Sequence, residues 1–331
     1  MRTLWIILLL LFSLDVQPAV SSDGDLTLGV PFPENTREHT LLFEEIQRIN
    51  QDSEEGLTIS LRFVKDQNDS LADMAVSGEL AGLLAVEHDF RTLGLDPDGL
   101  LYGLPFTFIS ENQVASVRSA LDPFVLQRLS DGSFTALKIV GFGFMHLVSA
   151  KPLTTISDWQ SQTIWVPPVD SVSTSGISGI GMTVSMNDPK EVLMGLKSKE
   201  IDGLISPLPL LVLKRWHTRM KHIFPYPIAY SYGIWLIEDD RFNELSYGQR
   251  RELTESIKKL SLLMSNALSD RSTGAVKVLQ RYRIVFAEPE NSFAEQWPSF
   301  FQQSLENLDV GVRPSAKALE KLRAQLLQRA E

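Results

Sequence analysis

Few residues in this chain are typed and spaced for covalent chemistry. The five histidines, His39, His88, His146, His217 and His222, are scattered, with no pair at a metal-ligand spacing. The acidic pairs Glu44-Glu45, Glu54-Glu55 and Asp239-Asp240 are neighbours in sequence and read as solvated surface. No GxSxG, HExxH or phosphate-binding loop occurs, and Gly141-Phe142-Gly143 lacks the third glycine of a dinucleotide fingerprint. Nothing therefore supports an enzyme, and neither a metal nor a cofactor is expected. Aromatic surface is what the chain does concentrate. Tyr226, Tyr230, Tyr232 and Trp235 fall within one short stretch, where strand-like alternation can aim some of them at a shared cavity or into a core.

With 331 residues, 44% of them hydrophobic, the chain can build one large or two medium cores. A formal net charge of −10 disfavours a nucleic-acid partner. Residues 1–22 read as a signal peptide: Arg2 is followed by the apolar run Leu4 to Phe12, too short to span a bilayer, and small residues at Ala19 to Ser22 offer a cleavage site near residue 22. Export without a single cysteine means a fold held by its core rather than by disulfides. A bacterial periplasmic protein is the expected result.

The elements that must position the aromatics follow an alternating pattern. Leu26 to Val30 is expected as a strand, Arg37 to Asn50 as a helix, Leu57 to Phe63 as a strand, a short helix capped by Asp69, and Leu80 to Val86 as a strand. That series predicts a mainly parallel α/β sheet with ligands beyond the carboxyl ends of its strands. Ser110 to Leu129 has helical spacing broken by Pro123, and Lys138 to Ser149 reads as one long strand interrupted at Gly141 and Gly143, where a lobe boundary is placed. Thr163 to Val166 is a further strand, fed by a turn at Ile156 to Trp159, and the Ser- and Gly-rich Asp170 to Gly181 is either a poor helix or a loop. Asp188, Pro189 and Glu191 predict a capping box opening a helix that ends at Gly203. Leu245 to about Arg283 predicts one long helical region with a Ser-Thr-Gly interruption at Ser272 to Gly274. A strand near Ile284 to Phe286, a helix near Ser292 to Leu308 and a helix from Ser315 to Arg329 complete the chain. Its Leu319, Leu322 and Leu326 form either a docking face or a packing face on the second lobe.

Ser198 to Ser206, SKEIDGLIS, echoes Ser77 to Ala85, SGELAGLLA, with Ser, Glu, Gly and Leu recurring in step. Two similar α/β lobes facing each other follow if the echo is a duplication.

Five segments, in order, resemble the periplasmic solute receptors of tripartite ATP-independent (TRAP) transporters, the dicarboxylate and sialic-acid type. They are Leu104 to Phe108, Gly143 to Leu147, Ile164 to Pro167, Glu191-Val192 and Ile201 to Gly203. The resemblance implies an α/β, two-lobed periplasmic-binding-protein fold, type II-like in its TRAP variant, with a long helix spanning both lobes. Residues 23–143 plus about 233–270 are expected in lobe I and 144–232 plus about 271–331 in lobe II, hinged near Gly143 and Ala229 to Gly233. It also implies a solute receptor that closes on a small ligand and delivers it to a membrane permease of the TRAP type. The departures are at the carboxylate clamp. Trp165 stands at the position where such receptors carry arginine, Met145 at that of a frequent second arginine, and Ser206 at that of a polar contact. Tryptophan and methionine offer apolar area instead of a bidentate charged contact. The expected ligand is therefore neutral or apolar, lipid-like molecules included, held by Trp165, Met145, Phe144, Ser206, His146, Tyr230, Tyr232 and Trp235. The alternatives are a carboxylate receptor whose charge comes from His146, Arg91 or Lys151, a lipid carrier handing cargo to an accessory periplasmic protein, and an enzyme on the same fold.

Overall fold

The computed structural model describes residues 24–65, 69–167 and 171–327, so the expected signal peptide lies outside the described residues. The first half runs β1 (Asp25–Pro33), α1 (Arg37–Gln51), β2 (Thr58–Val64), α2 (Leu71–Val76) and β3 (Gly82–Ala85). Then come α3 (Asp89–Leu93), a 3-10 turn at Pro97–Gly103, α4 (Glu111–Leu129) and the long strand β4 (Phe134–Ser149). The second half repeats the plan with α5 (Ile156–Gln160), β5 (Thr163–Trp165), α6 (Ser171–Gly179), β6 (Thr183–Ser185), α7 (Val192–Ser198) and β7 (Gly203–Pro207). It continues through α8 (Leu208–Leu213), β8 (His222–Ile223), β9 (Ala229–Glu238), α9 (Asp239–Glu244), α10 (Tyr247–Arg281), β10 (Val285–Phe286), α11 (Ser292–Glu306) and α12 (Ala316–Leu327).

The strands form one sheet in the order β2-β1-β3-β9-β4-β7-β5-β6, with β8 on β4 and β10 on β8. Its two ends have the same design. In one, β3 lies parallel to β1 and antiparallel to β9; in the other, β7 lies parallel to β5 and antiparallel to β4. The echoed segments occupy equivalent places, each a short helix turning into the inner strand of its lobe. Gly82 and Gly203, the shared glycine, are needed for the same reason: a Cβ would stand 2.3 Å from the Leu236 carbonyl oxygen in one lobe and 2.6 Å from that of Val148 in the other.

β4 and β9 are antiparallel partners that cross from one lobe to the other. Their register shifts between Gly141 and Gly143, where Phe142 is the extra residue of a bulge and Gly143 takes φ +101°. α10 packs on α1 of the first lobe, on β4 and on α8 of the second. At 35 residues it is about 50 Å long and spans both lobes.

Several local expectations are corrected. Ser70, not Asp69, caps α2 by accepting from the Asp73 N–H, while Asp69 accepts from Lys65 N at 2.7 Å and Arg62 Nη2 at 3.3 Å. Pro123 sits inside an unbroken α4; its cost of about 3 kcal/mol is offset by burial of Val114, Val117, Leu121, Val125 and Leu129. Ser272 to Gly274 likewise does not interrupt α10. Ile156 to Gln160 is a helix closed by a Thr155–Asp158 capping box, and the Ser- and Gly-rich stretch forms α6. The capping box at Asp188 does not form, because its Oδ1 accepts from Lys190 N at 2.7 Å in a tight turn and α7 begins only at Val192. α12, expected with lobe II, packs on α4 and the Pro97–Gly103 turn, with Ala318 and Leu322 fully buried there.

Candidate ligand-binding cleft

Four parallel strands, two from each lobe, end at one cavity of about 440 Å³. Pro31 and Phe32 close β1, Glu87 and His88 follow β3, Pro167 follows β5, and Pro207 ends β7. Met145 of β4 and Ala229, Tyr230 and Tyr232 of β9 form the wall between them. Loops at the carboxyl ends of parallel strands are where α/β sheets leave room for a ligand. Among the described residues that line this cleft there is no lysine or arginine. One carboxylate is present: Glu87 Oε1 accepts from the backbone N–H of Val172 at 2.9 Å, joining the end of β3 to the start of α6 in the other lobe. The Tyr232 hydroxyl donates to the Gly99 carbonyl, and its ring meets that of Tyr102 edge-on at 5.7 Å. Burial, and next the charge of Glu87, raise its proton affinity above that of an ordinary phenol.

A second cavity, about 790 Å³, lies between the bulged part of β4, α4 and the middle of α10. Its charged wall is Arg118, whose Nε and Nη2 donate to the two carboxylate oxygens of Asp122 at 3.2 and 2.9 Å, with Nη2 also donating to Ile139 O at 2.6 Å. Burial raises the Glu111 carboxyl above its ordinary range against the opposing effect of Arg118. His146 is pushed down to about 4 by burial, against a 3.4 Å contact of Nδ1 with Phe224 O, so it is neutral near pH 7.

The pleat of β4 divides the residues picked out in the sequence. Met145 faces the cleft, whereas Phe144 and His146, one position to either side, line the second cavity. Tyr232 lines the cleft and Tyr230 lines both spaces. Trp165, Ser206 and Trp235 line neither. Trp165 is buried in the lobe II core, 5.2 Å from the Trp216 ring, and its Nε1–H donates to Asn187 O at 2.9 Å. Ser206 is buried and donates to the Pro207 carbonyl, and Trp235 is buried in the lobe I core with Leu253 and Ile257. The alternative charge partners also lie elsewhere: Lys151 Nζ is 2.8 Å from Asp202 Oδ1, and Arg91 lines neither cavity.

Glu87 and Arg118 are the residues the sequence did not single out. Glu87 directly follows the expected strand Leu80 to Val86, the place where such sheets bind, and that position was its available signal. Arg118 and Asp122 share the helix face that begins at Val114, an i,i+4 charged pair on a core stripe.

Two lobes of matching topology, joined by crossing strands and opening a cleft at their strand ends, define a solute-binding receptor. The profile of the bacterial extracellular solute-binding proteins, family 7, matches residues 75–309, and the chain belongs to that family. This is the TRAP receptor family that the sequence resembles, and its members are binding proteins, not enzymes. Solved structures agree in fold. The TRAP periplasmic solute binding protein of Desulfovibrio salexigens with bound orotic acid is 12% identical, with a TM-score of 0.75 over 92% of this chain and 99% of that one. The open, ligand-free protein of Rhodobacter sphaeroides is 17% identical, with a TM-score of 0.77 over 91% and 99%. The Shewanella oneidensis protein with bound succinate is 14% identical, with a TM-score of 0.73 over 91% and 99%. No curated protein matches the chain.

Proposed function

We propose that this protein is a periplasmic receptor that encloses a neutral or largely apolar molecule in the cleft between its lobes and delivers it to a TRAP-type permease. The observation that carries the ligand class is the lining: Phe32, Met145, Val172, Leu210, Tyr230 and Tyr232 surround a space with no lysine or arginine among its described residues. A carboxylate enclosed there would lose its water with no cation to replace it, an outcome that strongly disfavours binding. Apolar surface gains about 25 cal/mol per Å² on entering the same space. Orotic acid and succinate in the related proteins of Desulfovibrio salexigens and Shewanella oneidensis are the contrast, since this chain's cleft lacks a basic partner for such acids among its described residues.

Closure and release rest on the crossing strands. The bulge at Phe142, the left-handed Gly143 and the facing Ala229 to Gly233 are where the lobes hinge, and the ligand drives closure by binding the closed form more tightly. Mass spectrometry of the purified mature protein, native and after solvent extraction, tests the ligand class. A co-purifying neutral or apolar molecule is expected; a bound organic acid would overturn it.

A further inference from the structure

We infer that the larger cavity, behind the crossing strands, is a second ligand site and takes a neutral polyhydroxylated molecule, a sugar or polyol. The assignment stands whatever the cleft binds, because the two spaces lie on opposite faces of the β4–β9 pair and share only Phe142 and Tyr230 among their described lining residues. At about 790 Å³ this cavity has the size of a small-molecule site and exceeds the cleft. Its one cation is already committed. Arg118 directs Nε and Nη2 to the two oxygens of Asp122, so it has no open fork for a ligand carboxylate, and Glu111, the remaining acid of the lining, opposes an anion further. What the cavity does present is neutral polar groups on two walls. On α10, the Asn266 amide and the Ser269 hydroxyl make no side-chain hydrogen bond among the described residues. On β4, the uncharged His146 ring turns Nδ1 to Phe224 O at 3.4 Å, which leaves Nε2 as an acceptor. Phe142 and Phe144 add aromatic rings to the β4 wall, the latter 5.3 Å from the ring of Tyr230. A sugar or polyol has the matching surface, hydroxyls that both donate and accept beside CH groups that pack on rings. An apolar molecule would cover Asn266 and His146 Nε2 without replacing their water, and an anion would find no free cation.

The test titrates two pairs of probes calorimetrically into the mature protein, sorbitol with gluconate and glucose with glucuronate, each pair differing by a carboxylate. At least one neutral probe should bind with a dissociation constant of about 1 mM or tighter, and at least about tenfold more tightly than its acid. Asn266 and Ser269 are exposed positions on α10, so both can be changed without disturbing the core. Ser269→Trp fills the cavity and should weaken that probe at least about tenfold, and Asn266→Ala, which removes an amide partner, about fivefold. Asn266→Ala carries the test alone should tryptophan disturb the helix. The assignment is overturned if neither neutral probe binds, if an acid binds as tightly as its neutral partner, or if a folded variant binds as tightly as wild type, which would place the probe outside this cavity.

Discussion

Arg271 on α10 donates from Nη1 to Glu38 Oε1 on α1 at 2.6 Å, and Glu38 is 2% exposed. The pair ties the spanning helix to the first lobe one residue before Ser272-Thr273-Gly274, whose poor helix propensity would otherwise favour a break. Removing one partner strands a buried charge. Because Arg271 is 32% exposed, the loss for Arg271→Ala is set below the range for fully buried pairs, at about 2 kcal/mol. Urea denaturation measures it, and Glu38→Leu with Arg271→Leu together should recover at least half of the loss. A single-mutant loss indistinguishable from wild type would show that α10 is seated by packing alone.

Gly82 and Gly203 make a paired prediction. Alanine at either drives a methyl group into a backbone carbonyl of the neighbouring strand, at 2.3 and 2.6 Å, and backbone cannot rotate aside. Each substitution should cost about 3 kcal/mol or more, whereas Gly132→Ala, with nothing within 4 Å of its added carbon, should cost well under 1 kcal/mol. Similar losses from Gly82→Ala and Gly203→Ala would confirm that the echo marks equivalent seams. A tolerated alanine at either site would break that equivalence.

How far the sequence foretold this molecule depends on what each feature needs. The alternating strands and helices, the long α10 and the crossing β4 follow from periodicity within single segments, and the echo located the twin inner strands β3 and β7. Trp165 shows where that reasoning stops. The resemblance placed it at a clamp position, but its indole is satisfied by Asn187, 22 residues away, on the core side of β5. Strand parity of one residue separates a core side chain from a lining one, and a three-residue strand gives little pattern from which to read it. Glu87 was hidden for the complementary reason. Val172, whose N–H it accepts, is 85 residues distant, so beyond its place after a strand nothing local distinguishes it from a solvated surface acid.

His146 gives the chain a pH dependence that one substitution should reduce. Its folded value of about 4 lies below the ordinary 6.5, so the folded state resists a proton that the unfolded chain accepts. The neutral ring therefore leaves stability intact above pH 6.5 and erodes it as pH falls from 6.5 towards 4. The loss across that window should approach about 2–3 kcal/mol. Denaturation of wild type and His146→Gln at pH 7 and pH 4.5 isolates it, because acid effects from other groups are common to both. Equal pH slopes would show that water or Phe224 lets His146 charge in the folded state.

Asp98 is the anchor of the last helix. It is 1% exposed and accepts from Ser315 N at 2.6 Å, from Ser315 Oγ at 2.9 Å and from Arg128 Nε at 3.3 Å, so one carboxylate joins the Pro97–Gly103 turn, α4 and the residue that leads into α12. Asp98→Ala leaves the Ser315 amide and the Arg128 guanidinium without that acceptor and should cost about 2–4 kcal/mol. The cost is local in its consequence. α12 adds Ala318 and Leu322 to the core beside α4, and without its anchor the helix should detach before the rest of the fold unfolds. Hydrogen exchange should therefore show residues 316–327 losing protection in Asp98→Ala, with β4 and β9 unchanged. Uniform loss across the chain would mean that Asp98 supports the whole lobe, and retained protection in α12 would mean that Leu322 and its neighbours hold the helix without the carboxylate.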